Sequence, residues 1–507
     1  MVLQATLPAR KPSPIDTARR QPARIEWRGV LAVAGAVALL LVALAARYGY
    51  YRDELYFRML SDHPAWGYVD QPPLTPLLAG LGTHLFGDTA VGIRVPAALC
   101  AAAAVVLTAM IAAELGGSRR AQVVSALAAA TSCYVLLVGH TLLTSSIDLV
   151  AWLAVALFVL RALVRGTGKW WLFAGVAVGI SFYNKYLVVL LCLGLLAGLA
   201  TVGPRRALVN RWLLGGVAIA LVIGAPNLLY QAVHDWPQLK MASALSADGN
   251  GDRNRLFLLP GQLILVGLPL APVWLAGLVG LFRRPEWRSA RAVAVAYPVA
   301  LVAIWVTGGR LDYAAPLVLV LLAAGCVHLD SWAFRRPRLI TSALIVNATT
   351  SALLALPVLP ESVLAQTPIP MANVEARDST GWPELTRQVG AVVANLPSEQ
   401  RNSAVLLAKD YGEAGALDRW RDDYHLPPVF SGHNELSTWM PPATATTVVS
   451  VGVPSDQLAP AFAQCSTIGT VQLGPDSVNQ AQQEPIVVCT GRQSSWAQLW
   501  PRLAHLG

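Results

Sequence analysis

Two carboxylates stand side by side where the first apolar run of the chain ends. The stretch reads Tyr48-Gly49-Tyr50-Tyr51-Arg52-Asp53-Glu54-Leu55, and a further acid follows in Gly67-Tyr68-Val69-Asp70-Gln71-Pro72-Pro73-Leu74. A carboxyl held within a turn or so of hydrocarbon is partly desolvated, which raises its pKa and suits it to take a proton at neutral pH. An acid so near a bilayer is costly to keep without a use. Side chains of adjacent helical residues point about 100° apart, so Asp53 and Glu54 are expected to diverge, one facing a site and the other holding the loop. Asp53 is the favoured reacting group, with Asp70 and Glu54 as the other catalytic candidates. Pro72-Pro73 fix the backbone after Asp70 and permit a short juxtamembrane or re-entrant helix to start there. For Tyr48, Tyr50 and Tyr51 an interfacial aromatic belt is the simpler explanation.

The elements that must position these acids are membrane spans. Of the 507 residues, 55% are hydrophobic and 13% charged, with mean hydropathy +0.51; soluble chains carry about 25% charged residues. The pattern predicts a mainly α, polytopic bundle of about eleven spans, at 30–47, 95–115, 121–139, 148–164, 170–184, 187–203, 212–230, 257–281, 292–307, 314–329 and 339–357. Lys and Arg cluster in alternate connectors: the tail 1–29, Arg119-Arg120, Arg161 to Lys169, Arg205 to Arg211, Arg283 to Arg291 and Arg335 to Arg338. The positive-inside rule makes that side cytoplasmic in a cell membrane. The loop 48–94, the loop 231–256 and everything after 358 then face outward. Net charge +9 is explained by these clusters and gives no nucleic-acid partner. The segment 1–29 reads as a basic cytoplasmic tail before a retained first span rather than as a cleaved signal.

The C-terminal 358–507 reads as an extracytoplasmic α/β domain. Strands are expected at 403–408, 446–451, 468–473 and 485–489, and helices at 413–422, 455–464 and 495–506. Of six cysteines, Cys465 and Cys489 lie there and can pair if the domain is outside the cytoplasm. Asp148 follows Thr144-Ser145-Ser146, where a capping role competes with a place in a pocket. His140 and His63 are available for proton transfer, although a lone histidine is more often structural. A divalent cation at Asp53, Glu54 and His63 is conceivable, but their spacing matches no dedicated metal site, and neither a P-loop nor a dinucleotide fingerprint occurs.

The segments Arg52-Asp53-Glu54-Leu55, Gly67-Tyr68-Val69-Asp70-Gln71-Pro72-Pro73-Leu74 and Arg94-Val95-Pro96 resemble the glycosyltransferase 39, or protein mannosyltransferase-like, family of the GT-C superfamily, including its aminoarabinose-transferase-like bacterial members. Tyr411-Gly412-Glu413-Ala414-Gly415-Ala416-Leu417 and Ser431-Gly432-His433-Asn434 are similar to outer domains of bacterial members. The resemblance implies an inverting transfer of a sugar from a polyprenyl-phosphate carrier to a protein, glycolipid or cell-wall glycan acceptor outside the cytoplasm. The family's first acid falls on Asp53, as base or positioning group for the acceptor hydroxyl, and its second on Asp70. Many relatives carry Lys where this chain has Gln71, so another cation must meet the donor phosphate, whose departure fixed positive charge assists. Arg52, Arg58, Arg94, Lys185, Arg253, Arg255 and Arg310 are the cations on that side. Lys185, in the tight turn 184–186, and Arg310, beside Gly308-Gly309 and before Tyr313, stand out, although a lysine at a helix end also snorkels. Tyr68, Gln71, Asp148 and Tyr313 complete the expected substrate contacts. A polyprenyl-lipid or sugar transporter is the alternative, though a carrier would hold its key charges near mid-span.

Overall fold

Long apolar stretches have no way to satisfy backbone polar groups in lipid except as helices, and the chain forms them in series. The computed structural model describes residues 23–247, 250–474 and 477–507; most of the basic tail, residues 1–22, lies outside these. Among the described residues, seven helices are long and apolar enough to cross a membrane: Trp27–Leu44, Ala90–Glu114, Thr144–Arg165, Arg211–Val233, Pro285–Thr307, Leu311–His328 and Pro337–Ala355. Two bent pairs raise the number to as many as nine. The expected spans 170–184 and 187–203 are the shorter helices Lys169–Ser181 and Val188–Thr201, each about 20 Å long at 1.5 Å per residue. The protein is a multi-pass membrane protein.

The expected spans 121–139 and 257–281 are not straight. Arg119–Ala130 and Cys133–His140 meet at 58°, and Gly251–Leu265 and Leu268–Arg283 at 80°. Both breaks free carbonyls that need donors. Asn347, fully buried on Pro337–Ala355, gives its amide N–H groups to Thr131 O (2.8 Å) and Val266 O (3.0 Å). Ser132 Oγ–H adds a bond to Leu265 O at 3.0 Å. Gly267 makes the second bend at φ +94, where a Cβ would stand 2.0 Å from the Asn347 side chain. One asparagine thereby satisfies two broken helices that periodicity alone reads as continuous.

After the first span come a helix, Arg52–Ser61, and a second, Leu74–Phe86, which starts directly after Pro73 as the Pro-Pro pair suggests. Beyond the last span, short helices at Glu361–Leu364, Ile369–Ala372 and Val374–Arg377 lead into an α/β unit. Its five strands are β1 Ala404–Ala408, β2 Val429–Ser431, β3 Thr447–Val451, β4 Phe462–Thr470 and β5 Pro485–Arg492. They are ordered β2-β1-β3-β5-β4, parallel among the first three and antiparallel from β3 through β5 to β4. The helix expected over 455–464 ends at Leu458, because the chain turns there into β4 to pair with β5. The strand expected at 468–473 is therefore only the end of β4. Cys465 and Cys489 are directly opposite in that pair and form a disulfide. The three-residue β2 was not anticipated from the sequence.

The unit rides on the first-loop helix. Helix Tyr411–Arg419 runs alongside Arg52–Ser61, and two glycines one turn apart permit the approach. A Cβ at Gly412 would lie 2.7 Å from the Arg52 Cβ, and one at Gly415 would lie 2.7 Å from the Leu55 Cβ. Tyr50, Leu55, Tyr56 and Tyr68 accordingly share one apolar cluster with Trp382, Leu406, Tyr411 and Val449.

Candidate active site

The first loop is locked by a buried ion pair. Glu54 has no exposed surface, and its carboxylate accepts from Arg94 Nε (2.9 Å) and Nη2 (2.8 Å), Leu142 N (3.0 Å) and Tyr51 N (2.8 Å). Arg94 gives its remaining donors to Ala45 O and Gly49 O, both at 2.7 Å. Three segments far apart in sequence, 45–54, the helix of Arg94 and the turn at Leu142, are tied at one point. This arrangement differs from the expectation that Glu54 acts on substrate and Arg94 on a phosphate: the lone pairs of the one and the donors of the other are committed inside the protein.

The adjacent Asp53 points elsewhere, as the 100° helical step requires. About a quarter of its side-chain surface (26%) is open, and Oδ1 accepts from Tyr411 Oη at 2.8 Å with Arg52 Nε at 3.6 Å. Burial pushes its carboxyl above the ordinary carboxylate range, against the pull of Arg52 and the Tyr411 hydrogen bond. Arg52 is fixed in turn by Gln480 Oε1 (2.6 Å) and lies 5.6 Å from the Tyr411 ring centroid. The Tyr411 ring stacks on Tyr56 at 4.7 Å, and Tyr56 Oη donates to Asp70 Oδ1 at 2.9 Å. Burial pushes Asp70 up to about 7. Two stacked phenols thus join the two catalytic candidates. The loop carrying Asp70 is held by Tyr68, whose hydroxyl donates to Leu60 O and His63 O (3.1 Å each), and by Val69 N, which donates to Glu435 at 2.8 Å. Gln71 is buried with its Nε2 lacking any partner among the described residues.

A second charged group, from another segment, acts on Asp53. Arg310 Nε donates to Asp312 Oδ1 at 3.0 Å, yet 56% of the Arg310 side chain remains open. Its charge acts on Asp53 and also on Glu375, a buried acid of helix Val374–Arg377 whose carboxyl is raised by burial. The Lys185 ammonium lies 4.6 Å above the Tyr313 ring and acts electrostatically on Asp148 and Asp312. No carboxylate stands within salt-bridge distance of Lys185 among the described residues. Asp148 is buried on the second turn of Thr144–Arg165, where Ser146 supplies the local cap by accepting from Leu143 N. The capping alternative for Asp148 therefore gives way. Its Oδ1 lacks a hydrogen-bond partner among the described residues.

The remaining candidates sit elsewhere. Arg58 is paired with Asp88 (3.0 Å) and Asp418 (2.7 Å), and Arg255 with Asp252 (2.7 Å), while Arg253 is exposed. His140 is buried 3.3 Å from Arg94, and His63 lies against Trp439, its ring 4.5 Å away. No group of three or more His, Cys, Asp or Glu side chains suited to a metal occurs among the described residues. Tyr56, Asp312, Glu375 and Glu435 were not picked out from the sequence. Asp312 had a signal, an acid two residues from Arg310 at the mouth of a span; Glu375 had none.

This framework is shared. The crystal structure of ArnT from Cupriavidus metallidurans in the apo state superposes with a TM-score of 0.58 at 16% identity, over 92% of this chain and 100% of that one. The same protein bound to undecaprenyl phosphate gives 0.59 at 16%, over 92% and 99%. The chain has the fold of a GT-C glycosyltransferase. Residues 70–230 also match the family described as dolichyl-phosphate-mannose-protein mannosyltransferase. That matched stretch includes Asp70, Gln71, Arg94, Asp148 and Lys185. No curated protein matches the chain.

Proposed function

We propose that this GT-C protein transfers a sugar from a polyprenyl-phosphate donor to an acceptor hydroxyl on the outer face of the membrane, with inversion. The observation that carries the reading is Asp53: a partly open carboxylate at the end of the first span, held by Tyr411 and Arg52 and facing Arg310. The matched family is named for a dolichyl-phosphate sugar, and ArnT from Cupriavidus metallidurans is seen with undecaprenyl phosphate. The clustering of Lys and Arg in alternate connectors supports the outward orientation.

In the proposed step the acceptor oxygen attacks the anomeric carbon as the bond from that carbon to the phosphate oxygen breaks. The acceptor proton passes to Asp53, and the phosphate leaves with the electron pair. Arg310 and Lys185 are the cations with free donors near Asp53 and Asp148, and they take over the phosphate contact that Gln71 does not supply. Electrostatic stabilisation of the leaving phosphate is their role. Asp70 holds Tyr56, and through the stacked phenols it sets the position of Tyr411. Glu54 and Arg94 hold the loop.

The test is transfer by the purified protein in proteoliposomes supplied with a polyprenyl-phosphate sugar and a hydroxyl acceptor. Asp53→Asn should abolish transfer while donor binding persists. Undiminished transfer by Asp53→Asn would overturn the assignment, and flux of the lipid across the bilayer without transfer would establish the transporter instead.

A further inference from the structure

A cavity lies away from Asp53, where the far end of helix Arg52–Ser61 meets the α/β unit. It is a cleft open to solvent, of about 270 Å³, lined by Met59, Asp62, His63, Asp418, Arg421 and Trp439, among others. The polar groups there are unusually free. The Asp62 carboxylate has no ion pair or hydrogen bond among the described residues, and neither does the indole N–H of Trp439. Asp418 uses one oxygen for Arg58 at 2.7 Å and keeps the other. Arg421 spends only its Nε, on Leu426 O at 3.1 Å. The volume approaches the ~300 Å³ at which small-molecule sites begin.

Charge and shape select the ligand class. Asp62 and Asp418 face a single lining arginine, Arg421, while Arg58 is shared between Asp418 and Asp88, so the cavity has no positive excess with which to favour a phosphate, and no metal-binding group of side chains occurs among the described residues. It offers an aromatic ring, apolar Met59 beneath, and carboxylate and guanidinium groups able to bond adjacent hydroxyls. These are the features that a neutral, polyhydroxylated ligand with one apolar face requires. The cavity stands at the opposite end of a helix that rises about 12 Å from Asp53 to Ser61, a distance a short glycan spans.

We infer that this cavity is a saccharide subsite for the acceptor, engaging a sugar unit remote from the hydroxyl that reacts at Asp53. The inference rests on the transferase reading for the word acceptor, and adds that the acceptor carries a glycan. Binding energy gathered at such a remote point serves to orient the reacting end.

The test is saturation-transfer NMR on the full chain in nanodiscs, without donor, using mannohexaose, arabinohexaose and chitohexaose as probes. At least one should receive saturation from the wild type, with affinity lost about tenfold or more in Trp439→Ala and retained in Trp439→Phe and Asp53→Asn. Asp62→Ala, at an exposed position, repeats the test should Trp439→Ala fail to fold. No saturation of any of the three probes overturns the inference. So does equal binding by Trp439→Ala, or by Asp62→Ala where that variant replaces it, and so does binding abolished by Asp53→Asn alone. If Trp439-dependent binding persists while Asp53→Asn transfers normally, the subsite stands and the assignment of Asp53 falls.

Discussion

Tyr411→Phe isolates one oxygen. The Tyr411 hydroxyl donates to Asp53 Oδ1 at 2.8 Å, while its ring stacks on Tyr56 at 4.7 Å and lies tilted against His433 at 4.7 Å. Phenylalanine keeps the ring contacts and removes the donor. A hydrogen bond to a charged group is worth about 1.5–3 kcal/mol. Because 26% of the Asp53 side chain is open, water can replace part of that, so the lower end applies and the proton binds Asp53 about tenfold more tightly in the variant. The sign follows from the role. A base works ionised, the phenol favours the ionised form, and burial already pushes the carboxyl upward. Losing the phenol moves the acid limb of the kcat/KM–pH profile to higher pH. Transfer should fall about tenfold on that limb and recover on the alkaline side, measured as sugar incorporation across a pH series. A loss equal at every pH, or a limb that does not move, refutes Asp53 as the proton acceptor.

Arg310→Gln should raise the KM for the polyprenyl-phosphate sugar by about 10- to 100-fold, the value of one charge-assisted contact, with acceptor KM unchanged in steady-state assays. Glu54→Gln leaves Arg94 buried and unpaired, which costs about 3–5 kcal/mol; unfolding in mixed detergent should show it, and Glu54→Gln/Arg94→Met should recover part of it. For Asp70 the folded carboxyl titrates at about 7 through burial, above its unfolded value near 3.9. Folding therefore takes up a proton in that window, and stability falls as pH rises through it and is level above. Asp70→Asn lacks this slope, so its Tm relative to wild type should climb between pH 4 and 7; a constant difference counts against the burial of Asp70. Gly415→Leu drives a side chain into Leu55 and its backbone and should disable transfer while the α/β unit, probed by the Cys465–Cys489 disulfide, stays folded.

What could be read from the sequence was whatever depends on nearest neighbours along the chain. Span positions follow from apolar length, and the divergence of Asp53 from Glu54 follows from the helical step. Which acid turns inward does not, because that is decided by Arg94, forty residues on and legible only as a basic residue near a span. The breaks at 131 and 266 were invisible for a related reason. A local window sees continuous apolar helix there, and the donor that makes the bends tolerable is Asn347, more than eighty residues beyond either one. The same holds at the site itself. Asp53 is recognisable alone, but its phenol comes from Tyr411 and its opposing charge from Arg310, each delivered by a different segment. A buried carboxylate can be kept only if partners are brought to it. The acid is thus the local half of the site, and its long-range half is the set of contacts that makes an acid at that depth tolerable and able to accept a proton.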